Sequence, residues 1–168
     1  MKKNTKKIVT AAGNAAGTAA VASLYAYVTI KALIDTALDR EMPKVMEKAD
    51  KRISGEKSSD EFTNRMESAS ESLAVQPNET VEIIAHDGEK LVGHYFPCEK
   101  PERVIIAFHG WRSSWHRDFG MISDFWYKNN CSVLYVEQRG QNNSSGEYMG
   151  FGLTERFDCL DWLNWEIE

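Results

Sequence analysis

Residues 103–118, RVIIAFHGWRSSWHRD, constrain the fold of this 168-residue chain more than any other stretch. An uninterrupted apolar run, 104–108, stops at His109-Gly110, and a polar, serine-containing turn leads into a helical pattern. A run with no polar alternation leaves no face for solvent, so it predicts a strand covered on both sides, the hallmark of parallel sheets. Parallel neighbours need crossover connections, usually helical. The flanking sequence supplies them. Residues 115–129 predict a helix with Phe119, Ile122, Phe125 and Trp126 on one stripe, ended by Asn129-Asn130. Residues 132–136 predict a second buried strand, and 140–152 a loop rich in Gly, Asn and Ser. Residues 153–165 predict an amphipathic helix that buries Leu153, Phe157, Leu160 and Leu163, spaced i, i+4, i+7 and i+10. Upstream, the strand-like runs 80–85 and 91–97 flank His86-Asp87-Gly88-Glu89, and Asp-Gly in that position signals a hairpin. The order hairpin, strand, helix, strand, helix predicts an α/β sheet with right-handed crossovers. It calls for another parallel strand after residue 168.

The first 75 residues have a different character. Lys2, Lys3, Lys6 and Lys7 precede residues 8–30, which hold no charged side chain. As a helix those residues span roughly 35 Å, enough to cross a hydrocarbon core. Ala, Gly, Thr and Asn dilute the apolar content, so three readings stay open: a signal anchor, a cleaved signal peptide with 20–22 (AVA) as its site, and a soluble Ala-rich helix. The anchor reading makes membrane lipid the partner of residues 8–30. It places the chain in the cell membrane as a single-pass protein, lysines in the cytoplasm and the remainder outside. Gly13 and Gly17 form a small-xxx-small pair of the kind that lets membrane helices approach. Residues 31–53 predict a helix interrupted at Pro43, 54–61 a polar linker, and 62–75 a short helix. The expected organisation is therefore a membrane-type segment at 1–30, a helical linker region at 31–75 and a domain at 76–168.

Composition narrows the functional classes. A net charge of -5 disfavours nucleic acid as the partner, since phosphate binding draws on a basic surface. Cys98, Cys131 and Cys159 stand far apart in neither CxxC nor CxxH spacing, so no metal or redox motif is read and none of them is assigned to a disulfide. No G-x-G-x-x-G or P-loop follows a strand, which disfavours a nucleotide-binding βαβ domain. At the end of a parallel strand, however, backbone N–H groups point into the crevice above the sheet, and a His-Gly turn there can aim one at a developing oxyanion.

Three motifs carry a resemblance. The hairpin reads DGEKLVGHYFP (87–97), the turn HGWRSSWHRDF (109–119), and the loop EQRGQNNSSG (137–146) followed by YMGFGLTERFD. In this order and spacing they resemble the α/β-hydrolase superfamily, and within it the bacterial, membrane-anchored, serine aminopeptidase-like hydrolases. The resemblance covers about 76–168, the N-terminal part of such a catalytic domain. It implies that Trp111 supplies an oxyanion-hole N–H, that His109 and Gly110 are structural residues of that turn, and that Arg139 and Ser144 shape the loop beside the site. It implies no cofactor and no metal, and a small-molecule or peptide substrate once the missing C-terminal part is supplied. The loop departs from the family pattern, with Gln141-Asn142 in place of His-Gly and Glu137 in place of Asp. Asn accepts positive φ better than most residues, so the turn is expected to survive.

The superfamily's nucleophile lies in G-x-S-x-G on the following strand, and no such motif occurs in these residues. Ser113 and Ser114 are read as turn residues, His86, His94 and His116 as surface or packing residues, and Asp158 and Asp161 as the solvated face of a helix. Two functions follow: the front part of a serine hydrolase for ester or amide bonds, inactive by itself, or a non-catalytic, membrane-tethered interaction protein. By the resemblance the apolar strand 104–108 lies at a sheet edge, so self-association is expected.

Overall fold

In a computed structural model of the protein, residues 2–41 and 61–167 are described. The chain divides into two units, residues 1–37 and 38–168. The first is helical. Helix α1, Lys2–Leu38, runs on past the boundary expected at residue 30. No breaker interrupts it, and the charge of Lys31 is paired one turn on with Asp35 at 2.8 Å. Val21, Leu24, Tyr25, Val28 and Leu33 are exposed around it. Pro43 and the linker up to residue 60 lie outside the described residues.

In the second unit, helix α2 (Glu61–Ala74) precedes strands β1 (Glu79–Ile84), β2 (Lys90–Phe96) and β3 (Arg103–Phe108). Helix α3 (Trp115–Lys128), strand β4 (Cys131–Glu137) and helix α4 (Glu155–Ile167) follow. The sheet order is β1-β2-β4-β3. β1 and β2 form the expected antiparallel hairpin, and Gly88 closes it at φ 93°. β2 also runs antiparallel to β4, whereas β3 and β4 are parallel, Phe108 lying opposite Val136. The order places β3 at the edge, as expected. β4 is central and buried at all seven positions.

Alternation along β4 divides the core. Cys131, Val133 and Tyr135 pack with Leu73 of α2 and Trp115 of α3, while Leu134 and Val136 pack with Trp162 of α4. Burial drives the Tyr135 phenol well above its ordinary pKa. Two glycines permit the closest approaches. A Cβ on Gly93 would stand 2.9 Å from both Leu134 and the Trp162 ring, and one on Gly120 would stand 2.7 Å from the backbone of Ala69 and Ser70.

The helix stripes differ from the sequence expectation. On α4 the buried residues are Glu155, Asp158 and Trp162. Leu153, which precedes the helix, and Phe157, Leu160 and Leu163 are all exposed. A hydrophobic spacing identifies one face of a helix, but the face buried here is the one anchored by Trp162 and a buried ion pair. On α3, Phe119 and Trp126 join the core, whereas Ile122 and Phe125 remain exposed.

Gly120→Ala is expected to destabilise the second unit by about 1–3 kcal/mol, because the fixed backbone of α2 leaves no room for the methyl group. The helix-propensity gain of about 1 kcal/mol opposes this and does not offset it. Urea midpoints decide, and a higher midpoint for the variant contradicts the close packing. The exposed β3 edge is expected to drive concentration-dependent association at tens of micromolar. Ile105 packs against the core, so Val104, which is exposed, is the better site for an edge charge. Val104→Lys should shift light-scattering mass towards the monomer, and an unchanged mass excludes this edge.

Candidate active site

The carboxyl ends of the parallel strands β3 and β4 lie side by side and bring two loops together, residues 109–114 and 137–146. His109 is buried at the end of β3. Its Nδ1 donates to the Gly110 carbonyl at 2.9 Å, and its Nε2 accepts from Asn142 Nδ2 at 3.1 Å and from the Gln138 backbone N–H at 3.4 Å. These partners assign the Nδ1–H tautomer. Gln138 also donates its side-chain amide to the His109 carbonyl. The imidazole is thus engaged on both nitrogens by the two loops it joins.

The next residues are tied as closely. Gly110 N–H donates to Asp118 Oδ2 at 2.6 Å, and Ser113 Oγ donates to Asp118 Oδ1 at 2.5 Å. Asp118 stands in the first turn of α3, where the helix dipole favours a carboxylate. Arg112 has φ 51°, a strained value for a residue with a side chain, and its N–H donates to Gln141 Oε1 at 2.8 Å. Trp111, between these two fixed residues, is partly exposed. Its ring lies 6.4 Å from that of Phe151, with the Arg112 guanidinium 5.2 Å above it. The Gln141-Asn142 departure is therefore accommodated: Asn142 adopts φ 49°, and both side chains bind the 109–114 loop.

Beneath the loops lies an ionic network. Arg139 is buried and donates to Asp158 Oδ2 and Oδ1 at 2.8 and 2.5 Å, and to Asp87 Oδ2 and Oδ1 at 2.7 and 3.3 Å. Its bond to Asp158 raises its pKa further and, from the other side, the Arg139 guanidinium holds the Asp87 carboxyl below its ordinary range. Asp158 is thus no part of a solvated face; at 2% exposure it is a buried ion-pair partner. Asp161 is partly buried and accepts from the His86 backbone N–H and Nδ1, both at 3.0 Å. His86, Asp158 and Asp161 offer three ligand atoms within reach of one another, but Arg139 already occupies both Asp158 oxygens. Ser144 is fully buried, donating to the Glu137 carbonyl at 2.5 Å and accepting from Val92 N–H at 2.9 Å. It braces the loop against β2.

Glu137 is the second buried anion. It meets His94 Nε2 at 2.8 Å and accepts from Asn143 N–H and Nδ2 at 2.6 and 3.0 Å. Burial works to raise its pKa, but those hydrogen bonds together outweigh burial and hold the carboxyl below its ordinary range. His94 stacks on Trp115 with ring centroids 4.5 Å apart. His116 links Ser70 and Ser114 at 2.9 and 3.0 Å, and burial, aided by the neighbouring His94 and Arg117, lowers its pKa.

One group of residues had no signal in the sequence. Residues 38–41 join the loop 142–149 as an added strap: Met149 N–H donates to the Leu38 carbonyl at 2.7 Å, Arg40 N–H to Glu147 at 3.0 Å, and Asp39 bridges Tyr148. Arg40 donates to the carbonyls of Ser144 and Asn142 at 2.7 and 2.5 Å, and Arg112 reaches the Asp39 carbonyl at 2.8 Å. Contacts between residues about a hundred positions apart leave no periodicity or motif to read.

No family model matches the chain, and no curated protein matches it. Solved structures do. An esterase from Pyrococcus furiosus is 27% identical over 56% of this chain and 36% of its own, with a TM-score of 0.48. An α/β hydrolase from Vibrio vulnificus is 19% identical over 70% of this chain and 41% of its own, with a TM-score of 0.39. An α/β hydrolase from a Penicillium species is 25% identical over 43% of this chain and 25% of its own, with a TM-score of 0.38. The chain spans well under half the length of each. Its own hairpin, strand order and parallel β3–β4 crossover make residues 79–167 a mixed α/β unit with a four-stranded sheet.

Arg139→Met is expected to lower stability by about 3–5 kcal/mol, since it leaves Asp158 charged, buried and unpaired. Arg139→Met with Asp158→Leu should recover much of the loss. Denaturant midpoints measure both, and a null effect of the single change excludes the clamp. Stability should also fall on acidification. Asp87 and Glu137 have folded pKa values below their unfolded ones, so their contribution is complete above the unfolded pKa and is lost as pH falls through the folded one.

Proposed function

We propose that residues 76–167 form the oxyanion-hole side of a serine-hydrolase domain for ester or amide bonds, carried on an N-terminal membrane anchor. The observation that supports this reading is the lock on the 109–114 turn. His109 is fixed on both nitrogens, Gly110 N–H is bound by Asp118, and Arg112 N–H is bound by Gln141. A turn held in place before the reaction begins is what stabilisation of a developing charge requires. In this role the Trp111 backbone N–H donates to the tetrahedral oxyanion, His109 and Gly110 hold the turn, and Arg139 and Ser144 set the adjacent loop. The serine attacks the carbonyl carbon and passes its proton to a base, which returns it to the leaving alcohol or amine. Water then releases the acyl group. Nucleophile, acid and base come from outside residues 1–168 in this reading.

The anchor rests on α1. From Gly17 to Leu38 it is long and apolar enough to cross a membrane, sharing 17–30 with the uncharged segment read from sequence. Thr29 and Thr36 return their hydroxyls to the carbonyls of Tyr25 and Ala32 at 2.8 and 2.7 Å, the way polar side chains are satisfied in lipid. The lysines at its start place the N-terminus in the cytoplasm and the domain outside. The exposed Phe157, Leu160 and Leu163 of α4 favour a second reading, a membrane-tethered interaction protein.

A fluorophosphonate probe separates the two. Residues 1–168 should remain unlabelled, including Ser113 and Ser114. A product that continues into G-x-S-x-G about 15–25 residues further on, the length of one helix-to-strand connection, should be labelled on that serine. Labelling of Ser113 or Ser114 overturns the placement of the nucleophile outside residues 1–168, and a longer product that stays unlabelled removes the hydrolase reading.

A further inference from the structure

The strap at residues 38–41 joins the candidate turn to the end of α1. Leu38 is the last residue of the candidate span, and its carbonyl accepts from Met149 N–H at 2.7 Å. Asp39 bridges Tyr148, and its carbonyl accepts from Arg112, whose guanidinium covers the Trp111 ring. Trp111 in turn faces Phe151. A continuous series of contacts therefore runs from Leu38 to a cluster of exposed large side chains. Trp111, Tyr148 and Phe151 are 45%, 54% and 61% exposed, and the nearby Leu153 is 70% exposed. The cluster rides on loops held by a buried ion pair and buried hydrogen bonds, so its position is set independently of whatever covers it.

We propose that this cluster is a second membrane contact, in which Trp111, Tyr148, Phe151 and Leu153 rest in the headgroup layer of the bilayer that α1 enters. The inference rests on the anchor reading given above. Three observations favour lipid as the occupant. Leu38 is both the last residue of the candidate span and the first of the strap, so the strap begins where the span ends. Its composition of Trp, Tyr and Phe with Leu is that of side chains enriched at membrane–water boundaries, where an amphipathic ring meets both phases. Among the described residues, the charges beside it indicate the lipid: Asp39, Glu41 and Glu147 lie along the strap and the loop it meets, while Arg40 and Arg112 are engaged with carbonyls. That balance suits a zwitterionic headgroup layer and not an anionic one.

The test uses the full chain reconstituted in phosphatidylcholine vesicles carrying lipid brominated near the headgroup end of its acyl chains. Alkaline carbonate extraction is done first. Tryptophan quenching by brominated lipid is then compared between the wild-type chain, Trp111→Phe and Trp165→Phe. Trp165 packs against Tyr95 and Trp162 beside the sheet and serves as the control. The expected result is retention in the membrane, clear quenching of the wild type, at least a twofold smaller quenched fraction in Trp111→Phe, and little change in Trp165→Phe. Retention with equal quenching in wild type and Trp111→Phe overturns the second contact and leaves the anchor standing. Release by carbonate overturns both.

Discussion

The guanidinium of Arg139 is the point on which the domain depends. From the loop after β4 it reaches both the β1–β2 turn, through Asp87, and helix α4, through Asp158. Its planar fork matches two carboxylates, which a lysine ammonium cannot do. Burying Arg139 and Asp158 is costly, and their geometry returns that cost only while both remain in place; Asp87, which is exposed, adds the tie to the hairpin turn. The network therefore adds less to net stability than its contacts suggest. What it adds is uniqueness, because any other arrangement of hairpin, loop and helix leaves a charge buried alone.

The same device recurs on a smaller scale in the loops. Glu137, Asp118 and Glu155 each accept from backbone N–H groups of turns that have no ladder partner: Asn143, Gly110, and the Gly150 and Gly152 pair. Irregular loops leave backbone donors without a ladder partner. A carboxylate that takes one or two such donors converts a loop into a fixed object. This explains why a segment as rich in Gly, Asn and Ser as 140–152 holds a defined geometry, with positive φ at Gly140, Asn142, Gly146, Phe151 and Gly152.

The sheet was legible in the sequence because its signal is local. The apolar runs ending at Phe108 and Val136 lie in the strands expected, and every element boundary in the domain falls within two residues of its expected position. The edge position of β3 followed from the motif resemblance and is what the pairing shows. The buried face of α4 differs from the one its sequence predicts, because hydrophobic period reports which residues share a face and not which face meets the sheet. There Trp162, in contact with Gly93, and Asp158, bound by Arg139, decide the orientation against four apolar residues of better spacing. The left-handed backbone at Arg112 and Phe151 had no sequence signal, since neither residue type favours it, whereas Asn142 did.

The two edges of the sheet are treated differently, and the difference carries information. β1 presents Glu79 and Glu82 outward, and Lys90 of the adjoining strand pairs with Glu82 at 2.9 Å. Charges so placed discourage another strand from pairing. β3 bears a charge only at its first residue, Arg103, and continues with Val104, Ile105, Ile106, Ala107 and Phe108. It has none of the lysines, prolines or bulges that blunt an edge. The exposed Leu160 and Leu163 of α4 belong to the helix covering the face to which Ile106 and Phe108 contribute. Strand pairing at β3 would satisfy its outer backbone groups and extend the apolar surface offered to that helix in one step. Pairing at β1 would bring a second strand against its glutamates. Growth of this sheet is therefore directional, favoured at β3 and opposed at β1.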